Sequence, residues 1–127
     1  MFDYFANPTR FVRIADALFW PLVIAASGLL MAGLYYGLIA SPADYQQGET
    51  VRIMYVHVPA AWLATLGYVL MGICALFYIV WRHPLADVAL RAMAPVGAVF
   101  AMLTLVTGSL WGKPMWGTWW VWDARLT

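Results

Sequence analysis

Charge is what this chain has least of. Only 10% of its 127 residues are Asp, Glu, Lys or Arg, and they nearly cancel, leaving a net charge of +1. Nucleic-acid binding needs a basic face to meet phosphates, so this balance excludes it. Cysteine is scarcer still. Cys74 stands alone inside an apolar run, which leaves no disulfide framework and no cysteine pair for redox chemistry or covalent cofactor attachment. It reads as a small buried hydrophobe. There is no internal repeat and no low-complexity stretch. No Walker motif, nucleophile–base pair or multi-ligand metal cluster is visible, so hydrolytic chemistry has no foothold.

What is present in excess is apolar surface. Hydrophobic residues make up 65% of the chain, and mean hydropathy is +0.77. Soluble domains carry about 45–50% apolar residues, so a lipid bilayer is the solvent here. Three stretches lack charge altogether: Ala17 to Ala43, Ile53 to Trp81 and Ala92 to Gly112. Each exceeds the ~20 residues that cross a ~30 Å hydrocarbon core. The first is too long for the ~7–15-residue core of a signal peptide and reads as an uncleaved anchor. Proline favours the first position of a helix, so Pro59 and Pro95 are expected in the first turns of the second and third spans. Pro21 either begins or kinks the first. The expected architecture is all-α: a polytopic transmembrane helical bundle in one membrane domain, 1–127, with spans near 17–40, 59–81 and 92–111. Small residues Ala25, Ala26, Gly28, Ala32, Gly33 and Gly37 give the first helix a face for close approach.

Lysine and arginine set orientation. Arg10, Arg13, Arg82 and Arg91 flank one side, and Arg52, Lys113 and Arg125 the other. This favours an N-terminus in the cytoplasm by a narrow margin.

Two features carry chemistry. The run Trp111 to Asp123 holds five of the chain's 8 tryptophans: Trp111, Trp116, Trp119, Trp120 and Trp122. Beside glycine they build a flat apolar surface with indole N–H donors at its rim, suited to a flat amphiphilic ligand. An ordinary aromatic belt at the headgroups is the alternative. A helix through this run would put Trp116, Trp119, Trp120 and Asp123 on one face. An extended chain would instead pair Trp120 with Trp122. The second feature is His57. Placed just before a helix N-terminus, at the positive end of the dipole, a neutral imidazole keeps its lone pair for a metal. Its alternative is an interfacial histidine bonded to a loop carbonyl. Two spans separate His57 from the tryptophans, so both emerge on one side. His83 falls in the opposite loop and reads as solvated.

The segment Trp116-Gly-Thr-Trp-Trp-Val-Trp-Asp-Ala-Arg-Leu-Thr127 resembles the tryptophan-rich WWD signature of membrane haem-handling proteins. Tyr55-Val-His-Val-Pro-Ala-Ala61, Pro42-Ala-Asp-Tyr-Gln-Gln-Gly48, Ala94-Pro-Val-Gly-Ala-Val-Phe100 and Thr107-Gly-Ser109 narrow the likeness. Together they resemble the haem exporter protein C family of bacterial cytochrome c maturation. The likeness covers nearly the whole chain, the first sixteen residues least.

That resemblance implies a function. Its members hold haem b at the outer face of the bacterial inner membrane and present it to a periplasmic haem chaperone. An ABC transporter releases the loaded chaperone, and small membrane subunits belong to the same maturation complex. The tryptophan loop would cradle the porphyrin through Trp116, Trp119, Trp120, Trp122 and Asp123, and His57 would be one axial ligand of the haem iron. The family has a second axial histidine beyond Thr127 and about six spans, so the chain reads as its N-terminal half. Arg52 and Arg125 are candidate partners for the haem propionates, against the ordinary role of juxtamembrane cations. The resemblance implies a transfer protein rather than an enzyme. A haem ligase of the same superfamily and a structural subunit with an aromatic belt are the alternatives.

Overall fold

A computed structural model describes residues 7–122. Its regular structure is helical, with no strand among the described residues. Three helices are long and apolar enough to cross a membrane, as the charge-free stretches require.

Helix α1 (Pro8–Tyr35) opens at an Asn–Pro signal. The Asn7 side-chain oxygen accepts from the backbone N–H groups of Thr9 and Arg10 at 3.0 and 3.4 Å. Pro8 takes the first position, where an N–H has no partner to lose. Pro21 lies within the helix. A π-helical turn, Tyr36–Ala40, follows. This helix falls in one compact unit, ending at Ile39, and the chain from Ala40 onward forms another.

The second unit is a helical hairpin of α2 (Val51–Trp81) and α3 (Pro84–Trp116). Only Arg82 and His83 link them. Arg82 adopts a left-handed conformation at φ 52°, and its N–H closes α2 on the Tyr78 carbonyl at 2.9 Å. His83 is extended and precedes Pro84, the first residue of α3. So short a link returns the chain antiparallel.

Both helices begin earlier than their prolines suggest. Pro59 does not start α2, and Pro95 does not start α3; each lies inside its helix. An interior proline removes one backbone bond, here to Tyr55 or Arg91, without ending a helix whose flanks are paired. The charge gap measures what fits in hydrocarbon, whereas a helix continues until a cap stops it. At 31 and 33 residues, α2 and α3 are about 46 and 50 Å long, against a ~30 Å core. His57 therefore lies in the second turn of α2, within the spare length, rather than ahead of the helix.

Small residues line the seam. On α2, His57, Ala60, Ala64, Gly67, Met71 and Cys74 recur at alternating spacings of three and four and are buried or half-buried. On α3, Ala86, Leu90, Met93, Gly97, Phe100, Thr104 and Thr107 do the same. A Cβ added at Gly67 would stand 3.9 Å from the Gly97 Cα, so the backbones pass close. Lipid gives no hydrophobic drive between helices, and this contact rests on dispersion. Larger residues such as Trp62 and Leu66 face outward.

The segment before α2 is a tight turn. The Asp44 carboxylate accepts from the Gln46 and Gln47 N–H groups at 2.9 and 2.8 Å. Asp44 and Gly48 exchange backbone bonds, with Gly48 at φ 57°. The Thr50 hydroxyl donates to the Gln47 carbonyl at 2.6 Å. The Gln47 and then the Gln46 N–H hold the Asp44 carboxyl below its ordinary value of 3.8, with desolvation opposing.

Two outcomes follow from this packing and this turn. Gly67→Leu should destabilise the hairpin by about 1–3 kcal/mol through overpacking, while Leu66→Ala should stay within about 0.5 kcal/mol. Unfolding of the purified protein in detergent by added denaturant reads the difference; equal losses would show that the seam is elsewhere. Because Asp44 is the stronger acid when folded, the turn's stabilisation is complete above 3.8 and lost as pH falls through the lowered folded value. Protection of the Gln46 and Gln47 amides from hydrogen exchange should accordingly hold at neutral pH and fail only below 3.8. Loss of protection already between about pH 7 and 5 would remove Asp44 as the cause.

Candidate functional site

One end of the α2–α3 hairpin gathers most of the residues expected to carry function. His57 comes from the second turn of α2. Its Nδ1 lies 3.0 Å from the Thr107 Oγ1, fifty residues on. Gly108 leaves room for the ring: a Cβ there would come within 3.1 Å of His57 Cε1 and 3.6 Å of Nδ1. No hydrogen bond to His57 Nε2 is found among the described residues. The ring is thus seated on α3 by one nitrogen, with the other uncommitted.

One turn further along α3, Trp111 Nε1 donates to the Gln47 Oε1 at 3.0 Å. This bond clasps the Asp44–Gly48 turn to the hairpin. Arg52 holds the same segment from the other side. Its Nε pairs with a Glu49 carboxylate oxygen at 2.8 Å, and its Nη2 donates to the Ser41 carbonyl at 3.2 Å. In this structure Arg52 therefore anchors the loop. Trp116 folds back over Gly112, where a Cβ would meet its ring at 3.2 Å, and meets Trp111 edge-to-face at 5.0 Å.

Helix α3 ends at Gly117, whose φ of 77° lets its N–H donate to the Lys113 carbonyl at 2.9 Å. The Lys113 ammonium reaches the Gly117 carbonyl at 3.0 Å and stands 5.6 Å from the centre of the Trp119 ring. From Gly117 to Trp122 the chain is irregular. The Trp120 and Trp122 rings meet edge-to-face at 5.6 Å. That is the pairing of an extended chain, and the continuous helical face of Trp116, Trp119 and Trp120 does not form. Asp123 and Arg125 lie outside the described residues. Trp116, Trp119 and Trp122 are 53%, 56% and 77% exposed. Trp120 is half-buried, and its Nε1 is shielded from solvent without a hydrogen-bond partner among the described residues. A buried N–H left without a partner costs about 1–3 kcal/mol.

His83 caps α3 at the far end of the hairpin and is half-buried there, not fully solvated. Among the described residues no group of three or more His, Cys, Asp or Glu could hold a metal ion. His57 stands apart from any such group.

Sequence reasoning assigned no role to Gln47, Thr107, Gly108 or Gly112. A signal for one of them exists. Counting outward from the Arg82–His83 link, His57 is 25 residues back and Gly108 is 25 residues on (82 − 57 and 108 − 83). Equal helical rise brings such positions opposite each other.

Comparison with known proteins finds relatives over most of the chain. The profile of the family described as "Heme exporter protein C" matches residues 1–127. The chain is 58% identical over 123 residues to a protein of that name from Bradyrhizobium diazoefficiens, covering 96% of this chain and 46% of the relative. It is 51% identical over 122 residues to another from Escherichia coli K12, covering 96% and 50%. It is 46% identical over 118 residues to a Marchantia polymorpha protein named "Putative cytochrome c biosynthesis ccmC-like mitochondrial protein", covering 93% and 49%. The chain spans about half the length of the curated relatives it matches. With the profile matched over its whole length and these identities, the chain belongs to the haem exporter protein C family.

Proposed function

We propose that this chain forms the first half of a site that binds haem at the outer face of the inner membrane and presents it for cytochrome c maturation. One observation carries the reading: His57, with Nε2 uncommitted, and the tryptophan run share one end of the α2–α3 hairpin. A porphyrin fills the plane of its iron, so a single imidazole suffices as an axial ligand from this chain. The family's name supports haem as the cargo.

The residues divide the work. His57 supplies the axial nitrogen. Trp116, Trp119, Trp120 and Trp122 offer apolar ring faces, and the Trp120 Nε1 offers a shielded donor to a polar edge of the ligand. Arg52 belongs to the rim; Asp123 and Arg125, outside the described residues, follow the tryptophan run in sequence and are offered as further partners for the ligand. Arg52 already pairs with Glu49, so it acts on a propionate by holding the loop or by exchanging partners. A second axial ligand comes from the rest of the protein. The partners in this reading are a periplasmic haem chaperone that receives the haem, an ABC transporter that releases the loaded chaperone, and small membrane subunits of the same complex. The haem is haem b, held non-covalently, and the protein is a carrier. The N-terminus is cytoplasmic and the haem end of the hairpin periplasmic, in keeping with the lysine and arginine balance.

In the full-length protein, His57→Ala should reduce haem retention and shift the Soret band, while His83→Ala should change neither. Equal effects from the two would sink the ligand assignment. Replacing both Trp119 and Trp120 by Ala removes about 0.5–1.5 kcal/mol of ring contact each beyond lost area. Haem retention should fall by about 5–150-fold with membrane insertion intact. Poor insertion with haem retained would show that the rings form an aromatic belt. Reporter fusions in the Asp44–Gly48 turn should read as periplasmic; a cytoplasmic signal there would reverse the orientation.

A further inference from the structure

We infer that Thr107 sets the tautomer of His57 and so aims the lone pair of Nε2 at the ligand; the inference rests on the haem reading above. A threonine hydroxyl has one hydrogen to give. Thr107 Oγ1 lies 2.6 Å from the Leu103 carbonyl oxygen and 3.4 Å from that of Thr104. Carbonyl oxygens only accept, and two oxygens 2.6 Å apart with no hydrogen between them repel. The hydroxyl hydrogen is therefore committed to Leu103. Toward His57, 3.0 Å away, Thr107 presents only lone pairs. Nδ1 must then carry the ring hydrogen and donate it to Thr107. In the neutral ring the lone pair falls to Nε2, the nitrogen without a partner among the described residues.

This arrangement does for His57 what a carboxylate or carbonyl does for many metal-bound histidines: it fixes the tautomer and the ring plane. Gly108 completes the seat. A Cβ there would press to within 3.1 Å of the ring, so glycine lets the imidazole approach close enough for the Thr107 bond. Thr107 is a positioning residue. It acts through His57 and needs no contact with haem.

The test uses the full-length protein in detergent or lipid. Nitrogen-15 spectra of the haem-free protein, with the His57 signals identified by their loss in His57→Ala, read the tautomer directly. The parent should show a protonated Nδ1 and an unprotonated Nε2. Thr107→Ser keeps the hydroxyl and should keep this pattern, while Thr107→Val should give a mixture of tautomers. Haem retention should fall about 10–100-fold in Thr107→Val, the scale for losing an orienting partner, and recover in Thr107→Ser. A parent ring protonated at Nε2 would overturn the inference, whether or not Thr107→Val folds. So would Thr107→Val with mixed tautomers and parental haem retention. If His57→Ala itself keeps haem with an unchanged Soret band, the haem reading fails instead, whatever tautomer the spectra report.

Discussion

The close approach of α2 to α3 is the constraint on which the rest of the second unit depends. Lipid competes with every apolar side chain for dispersion contacts, so helices gain by meeting only where their backbones come nearer than lipid can. Alanine and glycine at Ala60, Ala64, Gly67, Ala86 and Gly97 permit this. With the helices that close, Thr107 can reach His57 at 3.0 Å. A seam of leucines would hold the axes further apart, and the imidazole would lose its partner while the helices still crossed the membrane. Small residues in mid-membrane thus govern polar geometry about 15 Å away, ten residues of helical rise from Gly67 to His57.

Near the hairpin's end the contacts change character. Within the seam they are dispersion; from Thr107 onward they are directional. Trp111 bonds to Gln47, Arg52 to Glu49 and Ser41, and Lys113 to Gly117. The first two join a helix to the turn before α2, and the third joins α3 to its own C-cap. Tryptophan suits this zone because one side chain offers both a face and a donor. Trp111 uses its donor on the loop and its ring on Trp116, which it meets edge-to-face. A bare aromatic belt would not require such bonds, since headgroups satisfy indole N–H groups equally well.

The all-α class and the number of membrane-length helices were legible in the sequence, because charge gaps report directly on the cost of putting ions in hydrocarbon. The helix starts were not. Pro59 and Pro95 look like N-terminal signals, but proline is equally tolerated where neighbouring bonds hold the helix. The real starts lie at a turn closed by Thr50 and at Pro84, outside the charge-free stretches. The placement of His57 and the tryptophans at one end of the hairpin follows from counting spans. Thr107 was not legible as a partner, since a threonine in an apolar run ordinarily bonds its own helix, as this one also does through Leu103. Its second role depends on the register of two helices, which the two-residue link sets and composition does not. The Trp120–Trp122 pairing was one of two stated geometries, and Gly117 decided it by ending the helix one residue after Trp116.

Under the haem-binding reading, rigidity and openness are divided between the parts of the site. The imidazole is held from one side by Thr107 and bounded by Gly108, so little ordering is left to do when a ligand arrives. The tryptophans are the opposite case. Trp119 and Trp122 are more than half exposed, and past Gly117 no helix holds them. A permanent cofactor site would enclose such rings and satisfy every donor around them. A site that must hand its ligand on has reason to keep one firm contact and several loose ones. The firm contact orients the iron, and the loose ones leave an edge of the porphyrin within reach of a receiving protein. The shielded Trp120 Nε1, without a partner among the described residues, fits the same logic. Under this reading the ligand would supply its acceptor, and part of the binding energy would come from meeting a donor that otherwise carries a cost.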